Sequence, residues 1–140
     1  MTTKTAPTTI TIKTGRAGGT AKDGFKYHDT FAEVKVGDFL EEFLVTDTIV
    51  YEVIKVTKAT VTVRKTVGTD ISHKDPHCDE GGHGLSVQWE EVKPWENGWT
   101  KTFRVRKDGS LRSGSHVGAS PLRPAHRVNG VPCQRRDWRF

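Results

Sequence analysis

The residues best suited to hold a ligand are the arginines. Eight of the ten in the chain fall after residue 100: Arg104, Arg106, Arg112, Arg123, Arg127, Arg135, Arg136 and Arg139. Residues 1–100 carry 12 Lys/Arg against 15 Asp/Glu, whereas residues 101–140 carry 10 against 2, so the formal charge of +5 hides a strongly basic end. A guanidinium presents a planar fork of donors that matches phosphate oxygens and stacks on base faces. Trp138 and Phe140, beside Arg135, Arg136 and Arg139, offer flat apolar surfaces for bases. Such a charge division points to an anionic partner, with nucleic acid, DNA or RNA, the commonest. The plainer reading is a solubilising tail whose aromatic residues dock on the fold.

A second cluster has metal-binding chemistry. His73, His77, Cys78 and His83 lie within eleven positions, and tetrahedral zinc takes nitrogen and sulfur ligands. Gly81-Gly82 would let the backbone fold back so that His83 meets His77 and Cys78. The adjacent pair His77-Cys78 is unusual for ligands, and no Cys-x-x-Cys pair completes a zinc signature. The alternative is a solvated loop. Zinc is the only cofactor the residues suggest. Cys78 beside His77 could pass for a nucleophile with its base, but sequence neighbours in an extended segment point apart. Asp75, Asp79 and Glu80 could serve a metal-dependent nuclease, yet nothing places them on a rigid element. The glycine-rich stretch Gly15–Gly24 lacks the Gly-Lys-Ser/Thr ending and following helix of a phosphate-binding loop. Catalysis is therefore not the expectation.

Trp95 and Trp99 bracket a Glu-Asn-Gly turn, where exposed aromatic residues would anchor a protein partner. This supports a rival reading as an inhibitor or adaptor of a host protein, with Glu41-Glu42 and Glu90-Glu91 as acidic faces.

The elements that must position these groups are short strands. Ile49 to Val67 carries the best hairpin signal, with Thr57-Lys58-Ala59 as its turn. Alternation through its second half puts Val61, Val63 and Val67 on one face and Thr60, Thr62, Arg64 and Thr66 on the other. Thr8–Lys13 predicts a strand with Ile10 and Ile12 inward. Phe39–Val45 fits a bulged strand or one helical turn. Leu85–Val92 predicts a strand with Leu85, Val87 and Trp89 on one face. Thr100–Arg106 predicts another that sends Arg104 and Arg106 outward, opposite Phe103 and Val105. Arg64 and Arg112 would extend that stripe if their strands are neighbours. Asp108-Gly109 predicts a hairpin returning through Leu111-Arg112, Ser113–Pro124 reads as a flexible connector, and Asn129-Gly130 is a second hairpin signal.

About seven short strands separated by turns predict a mainly β domain, a small antiparallel barrel. The Gly37-Asp38 step followed by Tyr51-Glu-Val-Ile and Val61-Thr-Val-Arg resembles a set of small phage-encoded SH3-like β-barrel proteins, from Glu33 to Val67. The resemblance implies a phage setting and, with it, a host cytoplasm. That set has no established activity, so no functional residue carries over. The expected layout is an N-terminal strand and glycine-rich loop over 1–32, a barrel core over 33–112 with a His-rich loop at 68–84, and an arginine-rich arm over 113–140. The hydrophobic fraction of 34% is low and fits a small core with polar arms. The first residues are polar, and no apolar run nears the ~20 needed to cross a bilayer, so a cytoplasmic protein without membrane contact is expected.

Overall fold

The computed structural model describes residues 8–44, 47–70, 87–113 and 120–137. Valine alternates with threonine and charged residues through the central hairpin, and β-branched side chains favour a pleated surface. They form β4 (Thr48–Val56), paired antiparallel with β5 (Thr60–Lys65). Thr57 closes the turn. Its N–H donates to the Thr60 carbonyl at 2.9 Å, and its Oγ1 accepts the Thr60 N–H at 3.0 Å. β3 (Phe39–Phe43), β8 (Thr100–Arg104) and the two-residue β9 (Arg123–Pro124) complete a five-stranded sheet, ordered β8-β5-β4-β3-β9. A second sheet contains β6 (Val67–Asp70), β7 (Val87–Lys93), β10 (Arg127–Val128) and β11 (Val131–Asp137), ordered β10-β11-β7-β6. β1 (Ile10–Ala17) and β2 (His28–Val34) form a separate hairpin, with a turn of 3-10 helix at Ala21–Asp23 between them. Every pairing among the described residues is antiparallel.

The protein is mainly β and antiparallel, as expected, but the described strands do not close into a barrel. The chain changes sheets at Thr66, between β5 and β6. Thr66 is buried and donates its hydroxyl to the Val50 carbonyl at 2.7 Å. The change also inverts the alternation. Val61 and Val63 are fully buried, whereas Val67, expected on their face, is 45% exposed. β7 departs in the same way: Glu90 and Val92 point inward, and Trp89 lies half-buried on the other face.

The main core lies on one face of the five-stranded sheet. Leu40, Tyr51, Val53, Val56, Val61, Val63 and Phe103 are covered by Ile12 and Val34 of the β1–β2 hairpin and by Leu111 and Leu122. The opposite face, at the β3–β4 end, carries Glu41, Thr48 and Val50 towards the second sheet. There the Gln134 amide accepts from the Val50 N–H at 3.3 Å and donates to Glu90 Oε1 at 2.6 Å. Thr48 Oγ1 accepts the Arg135 N–H at 2.7 Å.

Two segments at the basic end behave differently from expectation. Leu111-Arg112 starts no return strand; Leu111 is buried, and its carbonyl accepts the Leu122 N–H at 2.8 Å. Residues 120–135 form no solvated arm, because Leu122, Cys133 and Gln134 are buried and β9 pairs with β3. Asn129 and Gly130 have φ of 52° and 81°, as an I′-type turn requires, and join β10 to β11.

Tyr51 packs edge-on against Trp99 with ring centroids 5.7 Å apart and donates its hydroxyl to Glu42 Oε1 at 2.9 Å. Burial first, and then the hydrogen bond to Glu42 and its charge, push the phenol far above its ordinary value of 10. A raised folded-state value favours the protonated form. The contribution is complete below pH 10 and is lost as pH rises from there towards the folded-state value. Wild-type stability should therefore fall above pH 10 by up to about 1 kcal/mol per pH unit more than that of Tyr51→Phe. Urea unfolding of both proteins at stepped alkaline pH measures the difference. Parallel curves would refute it.

Candidate nucleic-acid interface

β8 is an edge strand, and its register on β5 decides where the basic side chains point. Thr60 faces Arg104, Thr62 faces Thr102 and Arg64 faces Thr100. Residues opposite one another in an antiparallel pair share a face. Arg64 and Arg104 thus lie on the outer face, about 13 Å apart along the strands, with the Thr62 and Thr102 hydroxyls bonded at 2.9 Å between them. Val61, Val63 and Phe103 take the inner face, as the alternation predicted. The neighbour relation expected for Arg64 is thus present.

Beyond β8 the chain runs through Val105 and Arg106 into a tight turn. The Arg106 N–H donates to the Ser110 carbonyl at 2.9 Å, and the Gly109 N–H donates to the Arg106 carbonyl at 2.8 Å. A groove of about 550 Å³ follows this edge, lined by Lys101, Thr102, Phe103, Arg104, Val105, Arg106, Lys107 and Arg112. Five of those eight side chains are cationic and none is a carboxylate. Lys101 Nζ lies 5.0 Å from the centre of the Phe103 ring. Arg112 is held by Ser110 Oγ at 3.0 Å and by Asp108 at 3.7 Å. The Ser110 hydroxyl, then its backbone N–H, hold the Asp108 carboxyl below the usual range, and Arg112 and Lys13 add to this. Asp108, beside the groove and paired with Arg112, thus fixes the turn as an anion.

Arg135 is not part of this groove. It stands on β11 opposite Trp89 and lines a separate cleft of about 310 Å³ with Glu41, Phe43, Thr48, Trp89, Arg123, Pro124 and His126. Arg123 Nε and Nη2 both donate to Glu41 Oε2, at 3.1 and 3.0 Å, and the His126 N–H donates to Oε1 at 2.6 Å. Arg123 also covers the Phe43 ring, and His126 lies against Trp89 with centroids 5.1 Å apart. The buried carboxylate of Glu41 thereby anchors β9 and the residues after it to β3. Its function here is structural. The backbone of Arg136 pairs with Gln88; its side chain, with Trp138, Arg139 and Phe140, lies outside the described residues.

His73, His77, Cys78 and His83, with Asp75, Asp79 and Glu80, also lie outside the described residues. Among the described residues no three His, Cys, Asp or Glu side chains converge as metal ligands. Trp95 and Trp99 are 41% and 51% exposed. Glu41 and Glu90 are buried, so neither acidic pair forms the expected surface face. Sequence reasoning missed Lys101 and Lys107 in the groove, although their proximity to Arg104 and Arg106 was a usable signal. Nothing in the sequence linked Arg123 to Glu41. Among the described residues no helix is long and apolar enough to cross a membrane.

No family model, curated protein or solved structure matches the chain.

Proposed function

We propose that the protein is a binding module that takes the phosphate backbone of a nucleic acid along the β8 groove. The observation that carries this reading is the concentration of Lys101, Arg104, Arg106, Lys107 and Arg112 in one groove without a lining carboxylate. Cations set along one edge of the sheet and the turn beyond it can meet successive phosphates, and release of condensed counterions drives the association. Arg64 on the neighbouring strand extends the positive face.

Removing the segment after Gly114 would not test this, because Leu122, Cys133 and Gln134 are buried. Substitution within the groove is the cleaner route. The exposed pair Arg104→Ala/Lys107→Ala should weaken binding of a short duplex roughly tenfold at low salt and flatten the log–log salt slope by about 2. Fluorescence anisotropy over a salt series reads both quantities, with thermal unfolding as the check on folding. An unchanged slope would exclude the groove.

The exposure of Trp95 and Trp99 favours a second reading, a host-protein partner docked on that turn. A stoichiometric protein partner that survives nuclease treatment and is lost on Trp95→Ala/Trp99→Ala would support it.

A further inference from the structure

Three aromatic rings on the β1–β2 hairpin gain almost nothing from the fold. Phe25 is 70% exposed, Tyr27 74% and Phe31 60%. Phe25 also holds a left-handed backbone, with φ of 60°, which a bulky side chain rarely adopts and which no burial offsets. Along β2 the inward residues are Val34, Ala32 and Thr30, so Phe31 and Asp29 point outward, and Tyr27 follows at the same spacing of two. Opposite them stand Lys13, paired with Phe31, and Arg16, paired with Asp29. Asp29 bridges both cations at 3.4 Å. Glu33 follows outward at the same spacing, so two cations on this face meet two carboxylates and the rings sit among charges that cancel.

This face adjoins the basic groove. The Lys13 N–H donates to the Gly109 carbonyl at 2.9 Å, which ties β1 to the turn that follows Arg106 and Lys107. A chain whose phosphates lie on Arg104, Arg106 and Lys107 and that continues past Gly109 reaches the hairpin. There it meets exposed rings instead of further charge. A duplex hides its base faces, whereas an unpaired strand can stack them on aromatic side chains. An anionic membrane or an acidic protein would be drawn by net positive charge, which this face lacks.

Resting on the groove reading above, we infer that the hairpin is a stacking platform and that the module prefers unpaired strands, with Tyr27 and Phe31 each taking a base. The variant Tyr27→Ala/Phe31→Ala should bind an oligothymidylate roughly tenfold more weakly per ring removed. Its affinity for a duplex of equal length and its salt slope should stay unchanged, because rings release no counterions. Equal loss for both probes, or no loss for either, overturns the platform. If wild type binds duplex and single strand alike and the variant matches it, the groove reading stands and the platform falls. If Arg104→Ala/Lys107→Ala binds both probes as wild type does while the hairpin variant loses the single strand, the groove reading falls instead. No binding by wild type at low salt removes both.

Discussion

Replacing Arg123 by alanine is expected to destabilise the protein by about 3–5 kcal/mol, more than Glu41→Leu at the other end of the same ion pair. The asymmetry follows from burial. The Glu41 side chain is 3% exposed and the Arg123 side chain 50%. Without Arg123, the carboxylate stays between the sheets and keeps the His126 N–H, at 2.6 Å, as a donor. An uncompensated buried charge costs far more than a lost hydrogen bond. Without Glu41, the guanidinium turns to water and keeps its place over Phe43, 5.5 Å from the ring centre. The main loss is then the acceptor for the His126 N–H, about 1–3 kcal/mol. Glu41→Leu added to Arg123→Ala should therefore restore part of the lost stability. Denaturant unfolding of the four proteins in the cycle reads this directly. A double variant less stable than Arg123→Ala alone would show that the pair is not governed by desolvation.

The same contact explains what could and could not be read from the chain. Local signals were legible. The valine–threonine alternation located β4 and β5, Asn129-Gly130 located the β10–β11 turn, and the spacing of Phe103 and Val105 by two set Arg104 on the opposite face. Each depends only on the two-residue period of a strand or on the backbone freedom of a turn. Pairing between distant segments was not legible. β9 is two residues long and joins β3 across 82 positions through Arg123 and Glu41. Two residues carry no periodicity, and a glutamate in a strand reads as surface until its partner is known. Glu90 misled in the same way. Its bond to Gln134 pulls it inward and inverts the face assigned to Trp89. The basic end of the chain was recognised, but its arginines serve different purposes. Arg104, Arg106 and Arg112 share the groove, Arg123 anchors a buried carboxylate, and Arg135 faces the cleft. Composition gives the charge; only the sheet order says which side it is on.

Gly98→Ala should be among the most damaging single-methyl changes in the molecule. A Cβ at this position would overlap the Lys65 carbonyl oxygen and lie 3.1 Å from Arg64 Cγ. The first obstacle is backbone of a strand in the five-stranded sheet, so it cannot swing aside as a side chain would. The Lys65 N–H is meanwhile committed to the Trp99 carbonyl at 2.9 Å, and the Gly98 N–H to the Trp95 carbonyl at 2.9 Å. Moving the turn breaks one or both bonds and draws Trp99 away from Tyr51. Overpacking usually costs about 1–3 kcal/mol, and a clash with fixed backbone belongs at or above the top of that range. At roughly 3–4 °C per kcal/mol for a chain of this size, the thermal midpoint should drop by about 10 °C. Gly130→Ala separates this cause from backbone conformation. Gly130 has φ of 81° but open space around it, so only the strain of a left-handed alanine applies, about 1 kcal/mol. If the two variants melt together, close approach to Lys65 is not what requires glycine at 98. If Gly98→Ala alone collapses, the 94–99 turn is clamped to β5. The pose of Trp99, and the point where Arg64 enters the outer face beside β8, then depend on a residue with no side chain.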